Sequence, residues 1–286
     1  MAVEVKALAC ARPAEPGLPL GRLSIAELRR TVMERGVVAT ISGTALWRWL
    51  SEDAIRPWRH RSWIFPRDPD FAAKAGPILD LYAGRWQGRT LRPDEYVVSA
   101  DEKTSIQARR RIHAGSATEP GQAVRVEHEY ERAGALAYLA AWDVRRAGVF
   151  GRCEERTGIE PFERLVEQVM SEEPYRSARR VFWVVDNGSS HRGAVCERRL
   201  RKRWKNIRVV HTPVHASWPD QVEIYLSIVQ RKVLTPNQFD SLGAVEAALL
   251  AFQDHYAAVA RPFEWRFTRK DLLNVLTGLK PQARAA

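Results

Sequence analysis

The chain has 286 residues, 45% of them hydrophobic and 28% charged, ordinary values that exclude global disorder, collagen-like repeats and low-complexity classes. Basic side chains outnumber acidic ones 45 to 34, giving a net charge of +11 and a pI near 9.9, which points to a polyanionic partner, nucleic acid before a membrane surface. No apolar run reaches the roughly 18 residues a membrane helix needs, and the uncharged run 7–11 falls short of a signal-peptide core. Cys10, Cys153 and Cys196 are odd in number with no C-x-x-C pair, as expected of reduced thiols in a cytosolic protein. The expected location is the cytoplasm, in company with the nucleoid, and the length suits one large domain or a catalytic domain of roughly 200 residues plus a smaller module.

Residues 1–22 hold three prolines, two glycines and little periodicity, which predicts a tail with little core. Ser24 followed by Glu27 makes a capping box, and Ile25, Leu28 and Val32 recur at helical spacing, so a helix starts there and ends at Gly36. Ser42 then caps a second helix, in which Leu46 and Leu50 pack inward while Thr44, Trp47 and Arg48 face out. Two short helices joined by a turn read either as a DNA-binding helix-turn-helix or as an ordinary helical hairpin. Residues 55–67 interleave Arg56, Arg59, His60, Arg61 and Arg67 with Trp58, Trp63 and Phe65, a mixture suited to phosphate contact with aromatic support or to a solvated basic loop. Residues 70–82 read as a helix, 84–93 as a loop, and a boundary follows near Arg92, so that a helical region 23–93 precedes a domain over 94–262 and a closing segment 263–286.

Strand patterns then follow at 95–104, 124–130 and 136–144, a helix at 160–173, a strand at 180–185, a basic helix at 194–204, a strand at 207–211 and helices at 220–233 and 241–260. The order β-β-β-α-β-α-β-α predicts an α/β fold, a mixed sheet flanked by helices of the ribonuclease H-like kind, preceded by a small all-α region.

Asp101 ends the run 96–100, Asp186 directly follows the apolar strand 181–185, and Glu223 lies one turn into a helix. Each alone reads more readily as a turn or N-cap residue. Together they stand where sites form on such sheets. Converging carboxylates raise one another's pKa unless a cation lies between them, and Mg²⁺ or Mn²⁺ prefers oxygen ligands and supports in-line phosphoryl displacement.

The words around the acids carry a resemblance. SADEKTSIQARRR (99–111), VVDNGSSHRG (184–193) and HTPVHASWPDQVEIYLSIVQRKV (211–233) resemble the three blocks of the DDE transposases of the insertion-sequence six-thirty family, within the mariner superfamily, and the likeness spans about residues 6–265. It implies Asp101, Asp186 and Glu223 as catalytic metal ligands for Mg²⁺ or Mn²⁺, and a helix-turn-helix that binds DNA. It also implies cleavage at terminal inverted repeats, strand transfer into a TA-containing target, and a homodimer on double-stranded DNA with no small-molecule cofactor. Thirty-six residues separate Asp186 from Glu223, and Asp220 stands where the family commonly has Asn, three residues before Glu223 and able to crowd or partly replace it as a ligand. The family usually carries a further helix-turn-helix upstream, so a shortened, catalytically silent DNA-binding relic and a general ribonuclease H-like nuclease stand as rival readings.

Asn187 and His191 read as ligand-orienting side chains or as loop chemistry, and His211 with His215 as an H-x-x-x-H pair without thiols or a third ligand, which argues against zinc. Residues 192–208 hold eight basic side chains and one acid; Arg199 and Lys202 there, with Arg109 and Arg110 near Asp101, are the expected DNA contacts of the catalytic domain.

Overall fold

A computed structural model describes residues 1–278 apart from 12–16, 18, 21, 60–67, 114, 117–120, 122, 215 and 217. The chain divides into two compact units, Met1–Phe65 and Pro66–Ala286.

The first unit holds three helices, α1 (Ala2–Cys10), α2 (Ile25–Glu34) and α3 (Gly43–Glu52). The capping box forms as the sequence predicts: Ser24 accepts from the Glu27 amide and Glu27 accepts from the Ser24 amide. Gly36 takes a positive φ of 68° just past α2, the left-handed conformation that closes a helix most readily with glycine. Ser42 accepts from the Ala45 amide and caps α3. Leu46 and Leu50 are fully buried with Leu23, Leu28 and Val32. Residues 2–10 correct the expectation of a tail: Val5 and Ala9, four apart, sit in that same core. Packing against α2 and α3, rather than intrinsic amphipathicity, supports this helix.

The second unit opens with α4 (Phe71–Tyr82) and a two-rung hairpin, β1 (Arg85–Trp86) and β2 (Arg89–Thr90). A five-stranded sheet follows, built from β3 (Glu95–Arg110), β4 (Glu131–Asp143), β5 (Val149–Glu154), β6 (Arg180–Val185) and β7 (Ile207–His211). Its order is β5-β4-β3-β6-β7; the first three strands run antiparallel as a meander, and β6 and β7 join β3 in parallel. That is the ribonuclease H-like layout. The helices are α5 (Ile159–Met170), α6 (Gly193–Arg203), α7 (Val222–Lys232), α8 (Leu242–Ala257) and α9 (Arg269–Gly278).

Alternation along the strands gives the sheet two apolar faces. Val97, Tyr138, Trp142, Phe182 and Val184 bury against α7 and α8, whereas Val98, Leu139, Val181, Trp183 and Val185 bury against Phe162 and Val166 of α5 and Cys196 and Leu200 of α6. Helix α4 belongs to this unit, since Ile78 and Leu81 lie in the core of the first face; the sequence had grouped it with the region before Arg92. Two strands also move. Residues 124–130 form no strand beyond one isolated bridge from Arg125 to Ser116, and the meander is completed instead by β5, a short edge strand with Arg152 and Glu154 breaking its apolar run. Helix α9 replaces the expected irregular closing segment and buries Leu272 beside Phe71 and Leu79.

Candidate active site

Ser99 and Val184 form the last pair of the β3–β6 ladder. Parallel strands advance in step, so the residues two places further on, Asp101 and Asp186, lie side by side at the carboxyl end of β6. Both fall on the face of Val97 and Val184, which α7 covers. Buried Val222 and Tyr225 fix α7 against the sheet and place Glu223 in its first turn. Asp101 and Glu223 line an open groove of about 450 Å³ together with Glu102, Lys103, Ser227 and Arg231. Acids in the groove with a lysine and an arginine beside them suit a phosphodiester approaching a carboxylate-held cation.

Two of the three acids are oriented by local backbone. The Glu102 amide donates to Asp101 Oδ1 at 2.7 Å, and the Gly188 amide donates to Asp186 Oδ1 at 2.7 Å. Residue 188 has to be glycine or force a shift: a Cβ there would lie 2.9 Å from Asp186 Oδ1 and 3.0 Å from His191 Cε1. Burial pushes the Asp101 carboxyl up to about 7; the Glu102 amide opposes the rise, and the charges of Glu223, Asp186 and Glu102 add to it. Such an excess of negative charge is what a divalent cation relieves. No group of three His, Cys, Asp or Glu side chains among the described residues is already arranged as an ion cage, so the acids share an edge and an electrostatic field without being drawn together as ligands.

Not every buried acid here belongs to the site. Asp143 is fully buried, but its oxygens accept from the Arg145 and Arg146 amides at 3.0 Å and from the Tyr175 hydroxyl at 2.7 Å, a satisfied turn. Asp220 differs from both kinds. It is buried, accepts from the Ser99 hydroxyl through Oδ1, and has no partner at Oδ2. Burial first, and the nearby Asp101 charge second, push its carboxyl well above the usual carboxylate range. Its surroundings favour the protonated form.

Sequence reasoning missed three supports. Ser99, in the middle of the strand-like run 95–104, accepts from the Val222 amide at 2.8 Å and so ties the start of α7 to β3. Tyr82, at the end of α4, donates to the Pro219 carbonyl and accepts weakly from the Gln221 amide at 3.4 Å. Glu102 meets His191, whose Nε2 lies 3.3 Å from both Glu102 Oε2 and Asp186 Oδ1. A single buried serine or tyrosine has no sequence signature, and Glu102 stands inside the block 99–111 with no role read for it. His191 is fully buried against Phe162, so it orients Asp186 from within rather than touching a phosphate. Burial pulls its imidazolium down, but the Glu102 bond and the Glu102 and Asp186 charges outweigh this, and its pKa stands above the ordinary value.

The remaining polar candidates separate by exposure. Asn187 donates to the Thr212 carbonyl at 2.6 Å, and His211 Nε2 lies 2.7 Å from the His191 carbonyl and 3.1 Å from the Gly193 amide; His215 lies outside the described residues. Thr44, Trp47, Arg48, Arg59 and Lys202 are exposed. Arg110 is exposed but paired with Glu131, and Arg109 lies half-buried over the Tyr130 ring at 4.6 Å. Arg199 turns inward: it pairs with Glu163 of α5 and donates to the Ser190 carbonyl at 3.1 Å, because at this point in α6 the helix face meets α5. It is a structural clasp, not a free DNA contact. Arg61 lies outside the described residues.

The family of DDE superfamily endonucleases matches residues 96–246, more than half of the chain and all three acids. The chain belongs to that family. Among solved structures, this DDE endonuclease is similar to the Mos1 mariner paired end complex with Mn, at 17% identity over 91% of this chain and 72% of that one, with a TM-score of 0.52. It is also similar to the Mos1 strand transfer complex, at 14% identity over 92% and 79%, with a TM-score of 0.48. At 17% identity the likeness to the paired end complex is one of fold. No curated protein matches the chain. Among the described residues no helix is long and apolar enough to cross a membrane.

Proposed function

We propose that this DDE endonuclease is the transposase of a bacterial insertion sequence, cutting DNA at the element's terminal inverted repeats and joining the freed 3′-hydroxyl to target DNA. The observation that carries the reading is that Asp186 lies beside Asp101 by strand register while Asp101 and Glu223 line one groove, with the Asp101 carboxyl lifted to about 7, chiefly by burial and further by the neighbouring acids. The three carboxylates would hold Mg²⁺ or Mn²⁺, and such an ion, when bound, activates the attacking oxygen and stabilises the leaving one. The protein's own part is to position. The Glu102 and Gly188 amides and His191 hold the two aspartates, while Ser99 and Tyr82 hold the segment leading to Glu223. Lys103 and Arg231 flank the groove as phosphate contacts, and Thr44, Trp47 and Arg48 on α3 read DNA. The net charge of +11 supports a double-stranded DNA partner, and joining two ends calls for a homodimer on DNA.

The test is a cleavage and strand-transfer assay on the element's terminal sequences in Mg²⁺ or Mn²⁺. Metal-dependent nicking and joined products are expected from the wild-type chain, and neither from Asp186→Asn or Glu223→Gln, with DNA affinity kept within a few fold. Cleavage by Asp186→Asn would remove that residue from the site. Nicking without joined strands would reduce the protein to a nuclease.

A further inference from the structure

The strap 212–221 joins β7 to α7 and forms no helix or strand among its described residues, so its path depends on groups outside it that satisfy its backbone. Thr212 is tied to Val185 and Asn187 where the strap begins, and Ser99 meets Val222 where it ends. Between those points the grips come from α4. Asp68, just ahead of that helix, is buried and accepts from the Val214 amide at 3.1 Å through Oδ2. Its Oδ1 accepts from the Asp70 amide at 3.0 Å and from Lys74 at 2.9 Å, so the carboxylate is anchored at the start of α4 while it reaches the strap. At the other end of the helix, Tyr82 takes the Pro219 carbonyl and the Gln221 amide. The two grips are separated by the length of α4, about 18 Å for its twelve residues.

Helix α4 is itself braced by the C-terminal segment. Trp265 packs edge-on against the Tyr82 ring at 5.3 Å and donates its indole N–H to the Phe267 carbonyl at 2.9 Å. Arg269 of α9 crosses α4 at Gly76, where a Cβ would lie 2.8 Å from its Nε, and pairs with Asp80 at 2.7 Å. Leu272 buries among Phe71, Ala75 and Leu79 of α4 and Ala216 of the strap. A close-packed cluster shared by three segments transmits a displacement of any one of them to the others. Neither α4 nor the C-terminal segment lies within residues 96–246, the stretch that matches the DDE endonucleases.

We propose that Asp68 and Trp265 are positioning residues of the active site, holding the strap, and through it Glu223, from outside the matched stretch. Resting on the DNA-processing role given above, this makes α4 and the C-terminal segment working parts of the catalytic domain.

The test follows amide hydrogen exchange of peptides from the full chain, without metal or DNA. In Asp68→Ala and in Trp265→Ala, the peptide covering 212–223 should exchange about 10- to 100-fold faster, the range for losing a hydrogen bond to a charged acceptor or a comparable brace. The peptide covering β6 should exchange as in wild type, which shows that the sheet is folded. Trp265→Phe, which keeps an aromatic edge against Tyr82, should restore most of the protection. In the cleavage assay on a terminal-repeat duplex, kcat should fall by about 10- to 100-fold in both alanine variants while KM for DNA stays within about threefold, as expected when a catalytic group is misplaced and the DNA-binding surface is not. Unchanged exchange over 212–223, a rise spread evenly over the whole chain, or unchanged kcat beside a loosened strap would overturn the proposal. Exchange is read whether or not DNA is cut, so a wild-type chain that never nicks counts against the transposase reading, whereas a strap indifferent to both substitutions counts against the brace.

Discussion

The Ser99 hydroxyl donates to Asp220 while accepting from the Val222 amide, so one buried hydroxyl on β3 joins a buried carboxyl to the first turn of the helix that carries Glu223. Ser99 is fully buried and Asp220 nearly so. A protonated carboxyl offers a carbonyl-like oxygen and one O–H donor, and an amide a carbonyl oxygen and two N–H donors, so either can accept from Ser99 here without adding a fourth ionised ligand.

Asp220→Asn should therefore fold, keep cleavage activity, and change the pH dependence of stability. The sign follows from the raised carboxyl. In the folded protein Asp220 holds its proton well above the usual range, whereas in the unfolded chain it ionises near pH 4. Between those values the unfolded state has released a proton that the folded state retains, so wild-type stability falls as pH rises. The amide has no such slope. Thermal unfolding from pH 4 to 8 should show the variant gaining on wild type with increasing pH; parallel curves would mean that Asp220 is ionised in the folded protein.

Ser99→Ala removes both contacts at once and leaves the Val222 amide buried without an acceptor. A loss of about 1–3 kcal/mol is expected from orphaning such a group, read by urea unfolding. Cleavage should fall more than stability predicts under conditions where the variant is fully folded, because α7 loses its tie to β3 just before Glu223. Unchanged turnover in a folded variant would show that Val222 and Tyr225 packing alone fixes Glu223.

His191 tests the support beneath Asp186. With its pKa raised by Glu102 and Asp186, the charged ring contributes stability that is fully present below the ordinary histidine value of about 6.5 and is lost as pH rises through the raised folded value. His191→Gln should cost about 1–3 kcal/mol at acid pH and progressively less above neutrality. A cost that is flat with pH, measured by denaturant unfolding at several pH values, would mean that the ring is neutral throughout and acts by packing on Phe162 alone.

Much of this arrangement was legible beforehand, for reasons that differ by residue. The strand segments leading to Asp101, inside β3, and to Asp186, after β6, announced themselves because both are buried on two faces and read as apolar runs. Ser24 and Ser42 announced α2 and α3 because a cap is a local hydrogen bond between residues three apart. What failed to show was tertiary. Helix α1 and helix α9 are held by Val5 and Leu272 in cores made by distant segments, and β5 forms at a sheet edge where pairing with β4, not composition, decides. Ser99, Tyr82 and the inward turn of Arg199 depend on partners as many as 139 residues away, and no local pattern encodes such a contact.

The first unit yields the last prediction. Arg29 Nε donates to the Ile41 carbonyl at 2.6 Å and fixes the turn between α2 and α3, while Leu46 and Leu50 bury one side of α3 and leave Trp47 and Arg48 exposed on the other. If α3 enters a DNA groove, Arg48→Ala should weaken binding and lower the salt dependence of affinity by about one unit of slope for a single phosphate contact. Its unfolding midpoint should not move, since Arg48 touches no core. Leu46→Ala should do the reverse: it costs about 2–5 kcal/mol of stability through the cavity it opens, and affects DNA affinity only as far as the unit unfolds. Titration of a terminal-repeat duplex at several salt concentrations distinguishes the two, and equal affinity and slope for Arg48→Ala and wild type would make α2 and α3 a structural hairpin that never meets DNA.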